Sequence, residues 1–153
     1  MNEFIISTKI AVYSYNELSV SDKNLVNTAK SAALRSYSPY SKFSVGAAVE
    51  LDNGEIISGS NQENIAYPSG LCAERTTIFY AHSAHPDATM QTIAIAAHTD
   101  GAYTANPITP CGACRQAISE YERLANHNIR IILYGEDKIY ILESIAALLP
   151  LTF

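Results

Sequence analysis

This sequence predicts a mixed-sheet α/β layer fold, and three observations carry that expectation. Stretches with apolar residues every three or four positions alternate with short β-branched and aromatic runs, which interleaves helices and strands. Two of the strand-like runs are joined by Asp52, Asn53 and Gly54, the turn chemistry of a hairpin. No linker, repeat or low-complexity tract divides the 153 residues, 48% of which are hydrophobic, so one domain over 1–153 with a single core is expected.

Taken in order, Phe4 to Tyr15 mixes β-branched and aromatic residues and reads as an additional strand or arm within 1–18. Ser19 or Ser21 caps a helix whose apolar face is Leu25, Val26, Ala29, Ala32 and Ala33, ending by Ser38 and Pro39. Phe43 to Glu50 alternates, with Phe43, Val45, Ala47 and Val49 on one side, and Glu55 to Ser60 completes the hairpin. A Pro68-Ser69-Gly70 turn leads into a helix from about Cys72 to Ser83. Thr92 to His98 is a short apolar strand, followed by a loop with Gly101 and two prolines and a helix over about Cys111 to Ala125. Arg130 to Tyr134 and Ile139 to Ile141 read as strands, and Ser144 to Leu149 as a short final helix.

Charge and hydropathy exclude several partners. A formal net charge of -5 provides no basic footprint for nucleic acid or an anionic membrane. Nowhere does an apolar run approach the roughly 18 residues of a membrane span, and the first residues lack a secretory signal pattern. A soluble, cytoplasmic protein with a small-molecule partner is the expectation.

The three cysteines occupy two short motifs, Leu71-Cys72-Ala73-Glu74-Arg75 and Pro110-Cys111-Gly112-Ala113-Cys114-Arg115-Gln116. An odd cysteine count suits metal or thiol chemistry better than a disulfide framework. Cys111 and Cys114, spaced for one turn at a helix start, sit where free amides and the helix dipole favour thiolates. None of His82, His85 and His98 forms a ligand motif with them, so a metal held by Cys72, Cys111 and Cys114 would keep a fourth position for water. That is the arrangement of catalytic zinc. Glu74, two residues after Cys72, is placed to carry that water's proton, and Arg75 to offset the negative charge of three thiolates.

Together these motifs resemble the three-cysteine, zinc-dependent branch of the cytidine deaminase family acting on free nucleosides. Pro39-Tyr40-Ser41 with Phe43, Val45-Gly46-Ala47-Ala48, Asn61-x-Glu63-Asn64, and Leu148-Leu149-Pro150 with Phe153 extend the likeness over roughly 37–153. The resemblance implies a three-layer cytidine deaminase-like fold with a mixed sheet of about five strands flanked by helices. It implies one zinc per subunit and hydrolytic deamination at C4 of cytidine and 2'-deoxycytidine, releasing ammonia in pyrimidine salvage. Glu74 would be the proton shuttle; Asn61 and Glu63 would bind the ribose, Phe43 would pack beside the base, and the Ala73 backbone would read the pyrimidine edge. It also implies a homotetramer in which Phe153 reaches a neighbouring subunit's pocket and Tyr40 and Tyr67 lie near subunit boundaries. The sequence departs from the usual pattern at Ile65 and Thr77, where alanine is common. Deamination of another aminopyrimidine nucleoside such as blasticidin S, and a noncatalytic zinc-stabilised binding module, are the alternatives.

Overall fold

The computed structural model describes residues 1–153 and contains seven strands and three α-helices. The strands are β1 (Ala11–Tyr13), β2 (Ser44–Leu51), β3 (Ile56–Ser60), β4 (Met90–Thr99), β5 (Ala102–Tyr103), β6 (Arg130–Leu133) and β7 (Ile139–Leu142). The helices are α1 (Val20–Ala33), α2 (Ala73–Ala84) and α3 (Gly112–Ala125).

Six strands form one sheet in the order β1-β7-β6-β4-β2-β3, with β5 paired to one end of β4. Only β4 and β6 run parallel, because α3 carries the chain between them; every other pairing is antiparallel. The sheet is mixed, as expected, and wider than five strands. The difference is the short β5 and the N-terminal β1, whose three residues pair with β7.

Side-chain alternation sorts the core into two layers. Ala47, Val49, Leu51, Ile93, Ile95, Ile131 and Leu133 pack with Ala73, Ile78 and Ala81 of α2 and Ile118 of α3. Their neighbours Ala48, Ala94, Ala96 and Ile132 pack on the other face with Leu25, Val26 and Ala29 of α1. The middles of the central strands, Gly46–Val49 of β2 and Ile93–Ala97 of β4, are buried on both sides and carry no charged side chain, which explains the near-continuous hydrophobic runs there. The small residues on the α1 face allow a close approach. A Cβ added to Gly46 would stand 2.1 Å from the Ala29 carbonyl oxygen, so α1 lies directly against the β2 backbone.

Local signals set most helix ends. Ser19 accepts a hydrogen bond from the Asp22 amide at 3.1 Å and starts α1. Asn126, at φ 54°, closes α3 in the left-handed conformation that asparagine tolerates. Helix α1 ends at Ala33, before Ser38 and Pro39, where the Arg35 and Ser36 amides close tight turns onto the Ala32 and Ala33 carbonyls, and the Tyr37 amide then bonds the Asn61 carbonyl. The expected final helix is a single 3-10 turn, Ile145–Ala147, capped by Ser144. No helix is long and apolar enough to cross a membrane.

Candidate active site

Two helix starts converge to make the site. Cys72 is the N-cap residue of α2 and Cys111 that of α3, and neither thiol caps its own helix. Their sulfurs are therefore available to each other, and Cys114 joins them from the first turn of α3. The Cys72 and Cys111 Sγ atoms lie 3.7 Å apart, those of Cys111 and Cys114 3.5 Å, and all three fall within 4.8 Å of one another. Around a tetrahedral zinc with Zn–S bonds of about 2.3 Å, sulfurs stand about 3.8 Å apart. The three thiols therefore fit one zinc ion. No fourth His, Cys, Asp or Glu atom joins the cluster, so this donor set supplies three of four tetrahedral positions.

The surrounding groups distribute charge unequally. A hydrogen bond from Cys114 lowers the Cys72 thiol to about 5, aided by Arg75, whose Nη2 donates to Cys72 Sγ at 3.7 Å. The same Cys72–Cys114 bond, with burial, pushes the Cys114 thiol up. Arg75 Nε is buried without a hydrogen-bond partner, and the bond to Cys72 raises the guanidinium above its ordinary value. A fixed cation thus lies against the thiol cluster.

Glu74 occupies the first turn of α2 and is only 4% exposed. Burial raises its carboxyl to about 7, the Cys72 charge adds to that rise, and Cys114 and Arg75 oppose it. A carboxyl poised near neutrality can both take and return a proton.

A cavity of about 540 Å³ opens beside Cys72 and Arg75, bounded on its far side by Tyr40, Ser41, Asn61, Gln62, Glu63 and Tyr67. Paired main chains build this wall. Gln62 exchanges two 2.9 Å backbone hydrogen bonds with Leu71, and the Glu63 amide donates to the Tyr37 carbonyl at 2.8 Å. Glu63 Oε2 accepts from the Tyr40 and Ser41 amides at 2.9 and 3.2 Å. The Ser41 side chain and these amides hold the Glu63 carboxyl below its usual value, hence ionised at neutral pH. Asn61 spans the start of β2, its Oδ1 accepting from the Val45 amide at 2.8 Å and its Nδ2 donating to the Phe43 carbonyl at 2.9 Å. The Tyr40 and Tyr67 rings meet edge to face, with centroids 6.0 Å apart.

Not every residue singled out by the sequence reaches this cavity. Asn61 and Glu63 line it, whereas Phe43 does not. Phe153 is fully exposed and borders a separate hollow of about 420 Å³ with Gln116 and Arg123. Thr77 is buried and satisfied, its hydroxyl donating to the Ala73 carbonyl at 2.7 Å. Gly59 makes room for it, since a Cβ there would come within 2.7 Å of that hydroxyl.

Arg115 is a structural residue that the cysteine pattern did not single out. It donates to the Pro110 carbonyl at 2.8 Å, the Leu148 carbonyl at 2.9 Å and Thr109 Oγ1 at 3.3 Å. It thereby ties the chain entering α3 to the C-terminal segment. Its place directly after Cys114 was the available signal.

Residues 19–127 match the family described as "Cytidine and deoxycytidylate deaminase zinc-binding region". The chain belongs to the cytidine and deoxycytidylate deaminase family. A cytidine deaminase from Sporosarcina psychrophila is 43% identical over 99 residues, covering 65% of this chain and 68% of that protein. One from Mycobacterium tuberculosis is 35% identical over 109 residues, covering 69% and 77%. The crystal structure of a cytidine deaminase from Burkholderia pseudomallei superposes with a TM-score of 0.74 at 34% identity, covering 89% of this chain and all of that one. Membership in this family agrees with the donor set, because both point to zinc.

Proposed function

We propose that this chain hydrolyses the C4 amine of cytidine and 2'-deoxycytidine, giving uridine and 2'-deoxyuridine with release of ammonia, as a step of pyrimidine salvage. The observation that carries the reading is the meeting of three thiols and the buried Glu74 carboxyl at two helix starts, beside a cavity of nucleoside size. Cys72, Cys111 and Cys114 would hold zinc, which when bound supplies a Lewis acid that makes a water more acidic near neutral pH. Glu74 accepts one proton from that water and delivers it to N3 of the pyrimidine, then takes the second from the new C4 hydroxyl and gives it to the departing amine, so that the C4 carbonyl forms as the C4–N bond breaks. Arg75 withdraws charge from the thiolate of Cys72 and so limits how far three thiolates weaken that Lewis acid.

Substrate contacts divide between the two sides of the cavity. The Ala73 amide, first in α2, reads the pyrimidine edge, while Phe43, which does not line the cavity, acts through its carbonyl, which holds Asn61. Glu63 retains Oε1 for a ribose hydroxyl while Oε2 holds the Tyr40-Ser41 loop. Asn61 offers its second amide hydrogen in the same direction while bridging Phe43 and Val45. The assembly is a cytoplasmic homotetramer. Exposed Ile65, Tyr67, Phe79 and Tyr80 supply apolar surface for subunit contacts, and Phe153 reaches a neighbouring subunit's pocket.

An ultraviolet absorbance assay with cytidine and blasticidin S, on protein with a counted zinc content, tests this function. Cytidine turnover with about one zinc per chain is expected. A strong preference for blasticidin S, or zinc-loaded protein inactive on every pyrimidine nucleoside, would reject it.

A further inference from the structure

The first ten residues, Met-Asn-Glu-Phe-Ile-Ile-Ser-Thr-Lys-Ile, form an arm that the fold does not absorb. All ten are exposed, including Phe4 at 78%, Ile5 at 94% and Ile6 at 48%. None of their backbone or side-chain groups makes a hydrogen bond within the chain. The arm leads directly into β1, a terminal strand of the sheet that is paired on one side only, to β7. It also lies outside the family match, which begins at residue 19.

The arm nevertheless has the pattern of a strand with a partner. In extended conformation Phe4, Ile6, Thr8 and Ile10 share one face, and Glu3, Ile5, Ser7 and Lys9 the other. We propose that it pairs antiparallel, about Ile6, with the same arm of a second copy of this chain. In that register Ile6 faces the partner's Ile6, Phe4 the partner's Thr8, and Ile5 the partner's Ser7. Glu3 then faces the partner's Lys9, and symmetry repeats the ion pair at the other end. Moving the axis to Ile5 sets Glu3 against the partner's Ser7, and moving it to Ser7 sets Glu3 against the partner's Ala11. Charge complementarity therefore selects both the register and the occupant: an arm that satisfies its own opposite charges is complementary to itself. Pairing also gathers Phe4, Ile6 and Ile10 of both copies on one face and engages otherwise unpaired strand amides and carbonyls.

Sedimentation equilibrium of the zinc-loaded full chain at low ionic strength, with Glu3→Lys, Lys9→Glu and the double variant, tests the pairing. Each single variant replaces two attractive pairs by two repulsive ones and should raise the dissociation constant of the arm contact by roughly tenfold. The double variant restores opposite charges and should return to within about twofold of the unaltered chain. Single variants that associate as tightly as the unaltered chain, or a double variant no better than the singles, would overturn the proposal. Oxidation of Ile6→Cys gives an independent reading: the proposal expects a link between residue 6 of two copies, identified in a digest. Failure of that link to form in the associated protein would overturn it. Cytidine turnover and zinc content report on the active-site reading, so the two can fail separately.

Discussion

The two sides of the site are built by opposite strategies, and only Cys72 and Arg75 of the thiol side line the cavity itself. On the thiol side, Cys72, Glu74 and Arg75 belong to one helix start and Cys111 and Cys114 to another, with backbones fixed by the helices themselves. Glu74 and Cys114 are buried there, in a setting where charges act strongly. On the opposite side, short loop segments are held by their own polar side chains, Glu63 on Tyr40 and Ser41, and Asn61 on Phe43 and Val45. The comparison separates the two tasks. On the proposed function, the helix starts carry the reaction, and the loop wall carries recognition with residues that also serve as its supports.

Substitutions should therefore fall into two classes, the largest effects lying on the thiol side. Cys114→Ser, which removes a fully buried sulfur ligand, should reduce zinc well below one per chain by elemental analysis and take cytidine turnover below detection. Prolonged chelation of the unaltered chain should do the same, with activity returning on adding zinc. Glu74→Gln keeps the three thiols and should lower kcat by roughly 10²- to 10⁴-fold at unchanged zinc content. Arg75→Gln should lower kcat/KM by roughly 10- to 100-fold, because a partner of the metal ligand Cys72 is lost rather than a ligand. An effect of Arg75→Gln as large as that of Cys114→Ser would break the division.

Across the cavity, effects should be smaller and appear in KM. Glu63→Ala releases the Tyr40 and Ser41 amides and should raise KM by about tenfold with kcat nearly kept. Asn61→Ala should also cost about 1–3 kcal/mol of stability in denaturant titration, since the Val45 amide and the Phe43 carbonyl lose a part-buried partner. A fall in kcat on either change, with KM unmoved, would place these residues with the chemistry instead.

The same contrast accounts for what could be read from the sequence. Metal ligands on helix starts are local patterns: the spacing of Cys111 and Cys114, and of Cys72, Glu74 and Arg75, survives folding unchanged. The layered sheet was legible for a similar reason, since periodicity marks α1, the β2–β3 hairpin, α2, β4 and α3. The loop wall is non-local. Nothing near Glu63 in sequence announces that its carboxylate holds amides 22 and 23 residues earlier. Nor does the sequence near Ser38 show that the Tyr37 amide will bond the Asn61 carbonyl. The role of Arg115 is hidden for the same reason, because one of its three acceptors lies 33 residues away at Leu148.

The most direct test of the division is equilibrium binding of cytidine to zinc-loaded Glu74→Gln, measured beside its single-turnover rate. If the thiol side performs the chemistry and the loop wall the recognition, the dissociation constant should stay within about threefold of the unaltered chain's, while the rate falls at least about 100-fold. A rate near that of the unaltered chain, or a loss accounted for entirely by weaker cytidine binding, would contradict the assignment of Glu74 and the division built on it.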